Sequence, residues 1–358
     1  MKQRVIGFDL ARAYAIFGMY IVNFNTVFGL HNDKSLLGKF LSLFSGNSST
    51  VFVMLAGMGI ALMTNRSGYT SEEKNKLRTV IGKRAVFLFV IGLLLSLWWS
   101  ADILHFYGAY MGIALLILFI NKRYYILMAG FLILVFHILL MFIPFETGWN
   151  FDTFEYSDSW SFSGFIRNFF YNGWNSVFPW AAYFIMGMYL GRLDCGELKT
   201  QKKMFIAGLV LYITITVLQW RSNYMNLSED VYFYINADYL PPFLPFMLST
   251  IGFGLMMISG FMYLGNIVAD KQFAKNVAAT GQMTLTHYIS HIVFGMLLLA
   301  FLADKEYTGH VTQQEPISAF YILLFSIFYF ITSYYFSKLW VQKYKNGPLE
   351  MIMRKISG

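Results

Sequence analysis

The chain has 358 residues, of which 57% are hydrophobic, 19% aromatic and only 13% charged. A water-soluble domain carries about 25% charged residues, and half that share cannot cover a core of this size. Disorder, collagen and coiled coil are excluded by the same numbers, which leaves a polytopic membrane protein.

A helix needs about 20 apolar residues to cross the hydrocarbon core. Runs of that kind lie near 9–29, 48–64, 84–100, 103–120, 124–144, 175–191, 204–220, 242–264, 282–303 and 317–339. They predict an all-α integral membrane bundle of about ten transmembrane helices, with residues 1–358 as one domain. Only Ser100-Ala101-Asp102 divides the third and fourth runs, so these form a tight hairpin. Asp9 and Arg12 interrupt the first run and no small-residue cleavage site follows, so it reads as a span and not as a cleavable signal peptide.

The 27 Lys and Arg residues fix an orientation. With the N-terminus placed in the cytoplasm, 21 of them, Lys2, Arg4, Lys83 and Arg84 included, fall in inside segments. Five fall outside (Lys34, Lys39, Arg167, Arg221 and Lys305), and Arg12 lies within the first span. The bias predicts both termini in the cytoplasm. It accounts for the +8 net charge without a nucleic-acid partner; the bilayer is the partner. The outside loops are acidic, with Asp33, Asp102, Glu146, Asp152, Glu155 and Asp158 among their residues. The longest loop, about 145–174, holds twelve aromatic residues. It reads either as an interfacial aromatic belt or as a stacking surface for a sugar or other acceptor.

Polar residues inside spans usually face the bundle interior. Asp9 and Arg12 are i,i+3 neighbours and pair. Eleven residues separate Arg12 from Asn23, about 16 Å along a helix and on nearly the same stripe. A snorkelling Arg and a packing Asn explain the spacing as well as a functional stripe does. In the ninth span His287 and His291 are i,i+4 and share a face. The pair lacks the Glu of a zincin and a third ligand, so no metal is expected. Two hydrogen-bonded core histidines and a proton-transfer role both stay open. His31 lies in the loop after the first span, His105 after the Asp102 turn, His137 in mid-span, and His310 in a loop. The Gly187–Gly191 pair favours close helix packing. Cys195 stands alone, which excludes an intrachain disulfide, and its place at the inner end of the sixth span argues against a nucleophile.

Several segments, in chain order, resemble the YeiB-like bacterial membrane proteins and, more distantly, the heparan-alpha-glucosaminide N-acetyltransferases. They are Arg4…Phe8-Asp9-Leu10-Ala11-Arg12…Val22-Asn23, Phe52…Leu55-Ala56-Gly57, Asp102-Ile103-Leu104-His105-Phe106-Tyr107, Asn172-Gly173-Trp174…Phe178-Pro179-Trp180, Gly281…Leu285-Thr286-His287-Tyr288 and Gly347-Pro348-Leu349-Glu350…Arg354. Ala13 stands where the family has Gly after the Arg.

The resemblance implies a transmembrane acyltransferase that moves an acetyl or short acyl group from cytoplasmic acyl-CoA to a sugar, amine or envelope component outside. Arg12 and Asn23 match the family's first-span spacing, and His31 and the Tyr288…His291 pair match its histidines. The expected donor site is Arg12, Asp9, Lys83, Arg84 and Tyr288; the expected catalytic set is His291, Asn23, His31 and His287. One histidine takes the acceptor's proton and Asn23 donates to the oxyanion. A homodimer is compatible with this reading. The rival is a proton-coupled transporter, which the buried Asp, Arg and His would also suit; no internal repeat or Pro-broken helix pair supports it.

Overall fold

The computed structural model describes residues 5–31, 33–307, 309 and 314–358. Lys2, Arg4 and His310 lie outside the described residues. The chain is an all-α bundle. Its helices are α1 (Ile6–Phe28), α2 (Leu36–Ser42), α3 (Asn47–Met63), α4 (Ser71–Ser96), α5 (Leu104–Ile117), α6 (Arg123–Leu140), α7 (Phe162–Arg167), α8 (Val177–Gly191), α9 (Leu198–Ser222), α10 (Glu229–Asn236), α11 (Leu244–Val268), α12 (Gln272–Gln282), α13 (Thr284–Ser290), α14 (Met296–Leu302), α15 (Ala319–Trp340) and α16 (Pro348–Ser357).

Each of the ten apolar runs coincides with a helix or a continuous stack of helical turns. Among the described residues, seven segments are long and apolar enough to cross a membrane, and α5 and α8 are shorter apolar helices. α1 has 23 residues and carries Asp9 and Arg12 in its first turns. The outer helices α4, α6 and α9 keep most of their apolar surface outside, with Val86, Leu127, Phe131, Ile206 and Val210 all exposed. Such a surface is stable only against lipid. The chain is thus a multi-pass membrane bundle.

The apolar runs left five helices unread. α2, α7, α10, α12 and α16 are short and mix polar with apolar residues. α12 lies between the runs 242–264 and 282–303. It lays Ala274, Ala278 and Ala279 inward and packs on α1. The helix breaks at Met283 (φ −113°, ψ 35°) and resumes as α13.

α1 sits at the centre and packs on α3, α11, α12, α13 and α15. Small residues permit this closeness. A Cβ on Gly281 would lie 1.8 Å from the Asp9 carbonyl oxygen, and one on Gly187 would lie 2.0 Å from that of Met54. The Gly187–Gly191 pair is therefore a packing seam between α8 and α3.

The 145–174 segment is a folded cap. Trp149–Asn150 (β1) pairs antiparallel with Glu155–Tyr156 (β2). Buried Asn172 organises it: its amide nitrogen donates to the carbonyls of Phe145 and Thr147, and its side-chain oxygen accepts from Tyr156.

Candidate functional site

The end of the bundle where α1 begins is called the lower end here. A cavity of about 370 Å³ rises from it between α1, α3, α4, α5, α13 and α16. Three arginines from three elements line it: Arg12, Arg84 and Arg354. Arg12 is held by Asp9 (Nη1 to Oδ1, 3.6 Å) and lies over the Phe8 ring at 4.2 Å. Asp9 also accepts from Gln282 at 3.2 Å. Arg84 donates to the Ser357 hydroxyl at 3.2 Å. Gly59 keeps this end open, because a Cβ there would stand 3.0 Å from Arg12 Nη2.

The upper part of the cavity is apolar, with Phe52, Leu55, Leu88 and Leu104 on its walls and the phenols of Tyr107 and Tyr288 as its polar groups. A basic mouth and a narrow apolar shaft suit an anion that carries a slim chain.

α16 closes one side. Buried Glu350 accepts from the backbone N–H groups of Leu285 (2.8 Å) and Thr286 (3.2 Å) and from the Thr286 hydroxyl (2.6 Å). It thereby satisfies amides that the break at Met283 leaves at the start of α13. Burial raises its carboxyl pKa, and these hydrogen bonds offset part of the rise.

Above Tyr288 lies a buried carboxylate, Asp102. Its Oδ1 accepts from the Tyr288 hydroxyl at 3.2 Å, while its Oδ2 accepts from His105 Nδ1 at 2.9 Å and from the His105 backbone N–H at 3.2 Å. The Ile103 N–H donates to the Tyr288 oxygen at 3.1 Å. Gly92 makes room for this turn, since a Cβ there would lie 2.1 Å from the His105 nitrogen. His105 in turn lines a second cavity, also about 370 Å³, whose walls include Ser96, Ser100, Tyr156, Trp160 and Trp174. Leu104 borders the lower cavity and its neighbour His105 the upper one. The Leu104–His105 turn is thus a layer that both cavities border.

Asn23 and His291 form a pair beside this layer. The Asn23 amide donates to His291 Nε2 at 2.9 Å, and His291 Nδ1 donates to the His287 carbonyl at 3.2 Å. His291 is fully buried against the rings of Tyr20 (5.0 Å) and Tyr288 (5.3 Å). It opens a π-helical turn, His291–Gly295, a local irregularity that often marks functional sites. His287 reaches another partner, the Ser337 hydroxyl at 2.7 Å.

The other expected residues are scattered. Arg12, Arg84 and Tyr288 share the lower cavity, with Asp9 behind Arg12, whereas Lys83 is exposed and does not line it. His31 stands in the upper cap with its ring 5.3 Å from that of Phe154, and partial desolvation lowers its pKa. Burial raises the thiol of Cys195 to about 11. Arg354, Asp102 and His105 were noted in sequence as parts of the resembling segments, but none was given a site role. The signal was the Asp-x-x-His spacing at a turn, which puts both groups within reach once the helix starts.

Comparison with curated proteins and with solved structures gives no match. Two family models do match. The heparan-alpha-glucosaminide N-acetyltransferase catalytic model covers residues 4–220, and that of a protein of unknown function, DUF418, covers residues 196–358. The first spans more than half of the chain and contains α1 to α8, which supply most of both cavities. The chain accordingly belongs to the heparan-alpha-glucosaminide N-acetyltransferase catalytic family, and its C-terminal part carries the match to the YeiB-like family.

Proposed function

We propose that the protein is a membrane-embedded acyltransferase that carries an acetyl or short acyl group from cytoplasmic acyl-CoA to an acceptor on the other side. The family model bears the name of an N-acetyltransferase, and a glucosaminide is the first acceptor to try. One observation supports the reading most: two cavities, one mouth basic and the other side aromatic and hydroxylated, approach from opposite ends and stop at one shared layer.

In this reading both termini are cytoplasmic and residues 1–358 act as one domain in the inner membrane. The CoA phosphates meet Arg12, Arg84 and Arg354. The pantetheine arm rises past Phe52 and Leu88 and presents the thioester near Tyr288 and Tyr107. Asn23 and His291 complete the transfer centre behind Tyr288, His287 anchors their helix to α15, and His31 lies on the acceptor's approach. No covalent enzyme intermediate is required.

Thermal shifts of the purified protein with acetyl-CoA, CoA and unrelated nucleotides test the donor. Saturation at about one hundred times Kd adds roughly 2.7 kcal/mol of stability, so CoA species raise the midpoint and other nucleotides do not. The rival transporter draws on the same paired cavities around a buried carboxylate. It predicts no CoA stabilisation, together with substrate-dependent proton flux in vesicles.

A further inference from the structure

Acyl transfer to a hydroxyl or amine needs a base at the acceptor's side of the layer. Two of the five described histidines, His291 and His137, have both ring nitrogens engaged. His291 uses both ring nitrogens, on Asn23 and on the His287 carbonyl. His137 uses both, on the Ile133 carbonyl and on the Tyr234 hydroxyl. His287 spends Nε2 on Ser337. His31 has a ring contact but no carboxylate partner among the described residues.

His105 is different. Its Nδ1 is bonded to a carboxylate that is itself fully buried and anchored on its far side by Tyr288. That fixes the neutral tautomer with the proton on Nδ1 and the lone pair on Nε2. Nε2 has no protein partner among the described residues, and the ring borders the upper cavity. Phe106, with its centroid 4.0 Å away, and Phe169, stacked at 6.1 Å, hold the imidazole in place.

We infer that His105 is the base that takes the acceptor's proton, that Asp102 is its positioning residue, and that the acceptor's hydroxyl or amine occupies the cavity His105 lines. The inference rests on the acyl-transfer reading above. The acceptor's O–H or N–H proton passes to His105 Nε2 while its lone pair forms the new C–O or C–N bond to the thioester carbonyl carbon. The C–S bond breaks and its electron pair leaves on the CoA sulfur. The imidazolium returns the proton from Nε2 to that thiolate, so the products are the acyl ester or amide and CoA thiol. Asp102 keeps its hydrogen bond to Nδ1 and so stabilises the imidazolium.

The test follows CoA thiol release from acetyl-CoA by the full chain in nanodiscs, with water, glucosamine and a methyl glucosaminide offered as acceptors. His105→Ala is expected to lose about 10²–10⁴-fold in kcat with the acetyl-CoA thermal shift unchanged, and added imidazole is expected to restore at least about tenfold of it, a rescue typical of a missing general base. Asp102→Asn is expected to lower kcat, leave the donor KM unchanged and resist imidazole. His105→Gln retains a donor to Asp102 and guards against collapse of the turn, and His137→Ala is the neutral control. His105 variants that keep wild-type kcat, or that lose it without imidazole rescue, overturn the inference while the donor reading stands. So does a wild-type protein that binds acetyl-CoA and releases no thiol with any of these acceptors. A wild-type protein that neither binds acetyl-CoA nor releases thiol overturns both.

Discussion

Asn23 and His291 stand 268 positions apart in the chain and meet at 2.9 Å inside the bundle. The contact ties the central helix α1 to the π-helical turn after α13. Removing the donor leaves a buried ring nitrogen unsatisfied, which costs about 1–3 kcal/mol. Asn23→Ala is therefore expected to lower the thermal midpoint and to reduce transfer tenfold or more as Tyr288 loses its backing. CoA affinity is expected to stay the same, because neither residue lines the donor cavity. Paired melting and turnover assays check this; a variant with full activity would remove Asn23 from the transfer centre.

The three arginines of the lower cavity are expected to act on the phosphates. A charge-assisted hydrogen bond contributes about 1.5–3 kcal/mol, so alanine at Arg12, Arg84 or Arg354 weakens CoA binding roughly ten- to a hundredfold. Pantetheine, which lacks the nucleotide phosphates, should bind all four proteins alike. Lys83→Ala is expected to matter only at low salt, as for an exposed charge screened by ions. Calorimetric titration separates these outcomes.

Two glycines two residues apart in α3 should behave in opposite ways. A Cβ on Gly57 meets the Phe184 carbonyl oxygen at 1.9 Å, which is backbone and cannot yield. A Cβ on Gly59 meets only the end of the Arg12 side chain, at 3.0 Å. Gly57→Ala is expected to destabilise by about 1–3 kcal/mol or more. Gly59→Ala is expected to melt like the wild type and to bind CoA more weakly.

Glu350 gives the bundle a pH dependence. Its pKa in the folded protein is raised above 4.5 by burial, so folding favours its protonated form. This carboxyl's contribution to stability is greatest below 4.5 and declines as pH rises through its raised value. Glu350→Gln removes the titration and keeps an acceptor for the amides of Leu285 and Thr286. Melting curves from pH 4 upwards are expected to show a shallower decline in the variant than in the wild type; identical profiles would count against the assignment.

Orientation can be read with thiol reagents. The sole cysteine, Cys195, is partly buried and has its thiol pushed up to about 11, so little thiolate exists at neutral pH. Ser157→Cys in the cap and Lys355→Cys on α16 each add an exposed thiol. In intact cells an impermeant maleimide is expected to label the first and spare the second. The reverse pattern would invert the proposed topology.

The long helices were legible because a bilayer demands long apolar runs, and each run from 9–29 to 317–339 is helical, while seven described segments are long and apolar enough to cross a membrane. Arg12 stood out as the one basic residue counted within a predicted span and Tyr288 entered through the family resemblance; both line the lower cavity. α12 and α16 were not, because their small or mixed residues bury only one face and carry no run of the required length. The shared face of His287 and His291 was correct as helical geometry, yet the two rings reach different helices, α15 and α1. Asp102 read as a turn residue. Its role depends on Tyr288, which lies 186 positions away, and one sequence does not reveal so distant a partner.

The donor cavity is walled by Phe8 and Arg12 near one end of the chain and by Met353 and Arg354 near the other. During synthesis the first of these enter the membrane long before the last exist. Until then α1 lacks α12, α13 and α15 as well as the wall that α16 provides. A nascent chain therefore lacks the closed basic pocket, and on the proposed function it binds acyl donor only once α16 has folded back onto α4 and α13.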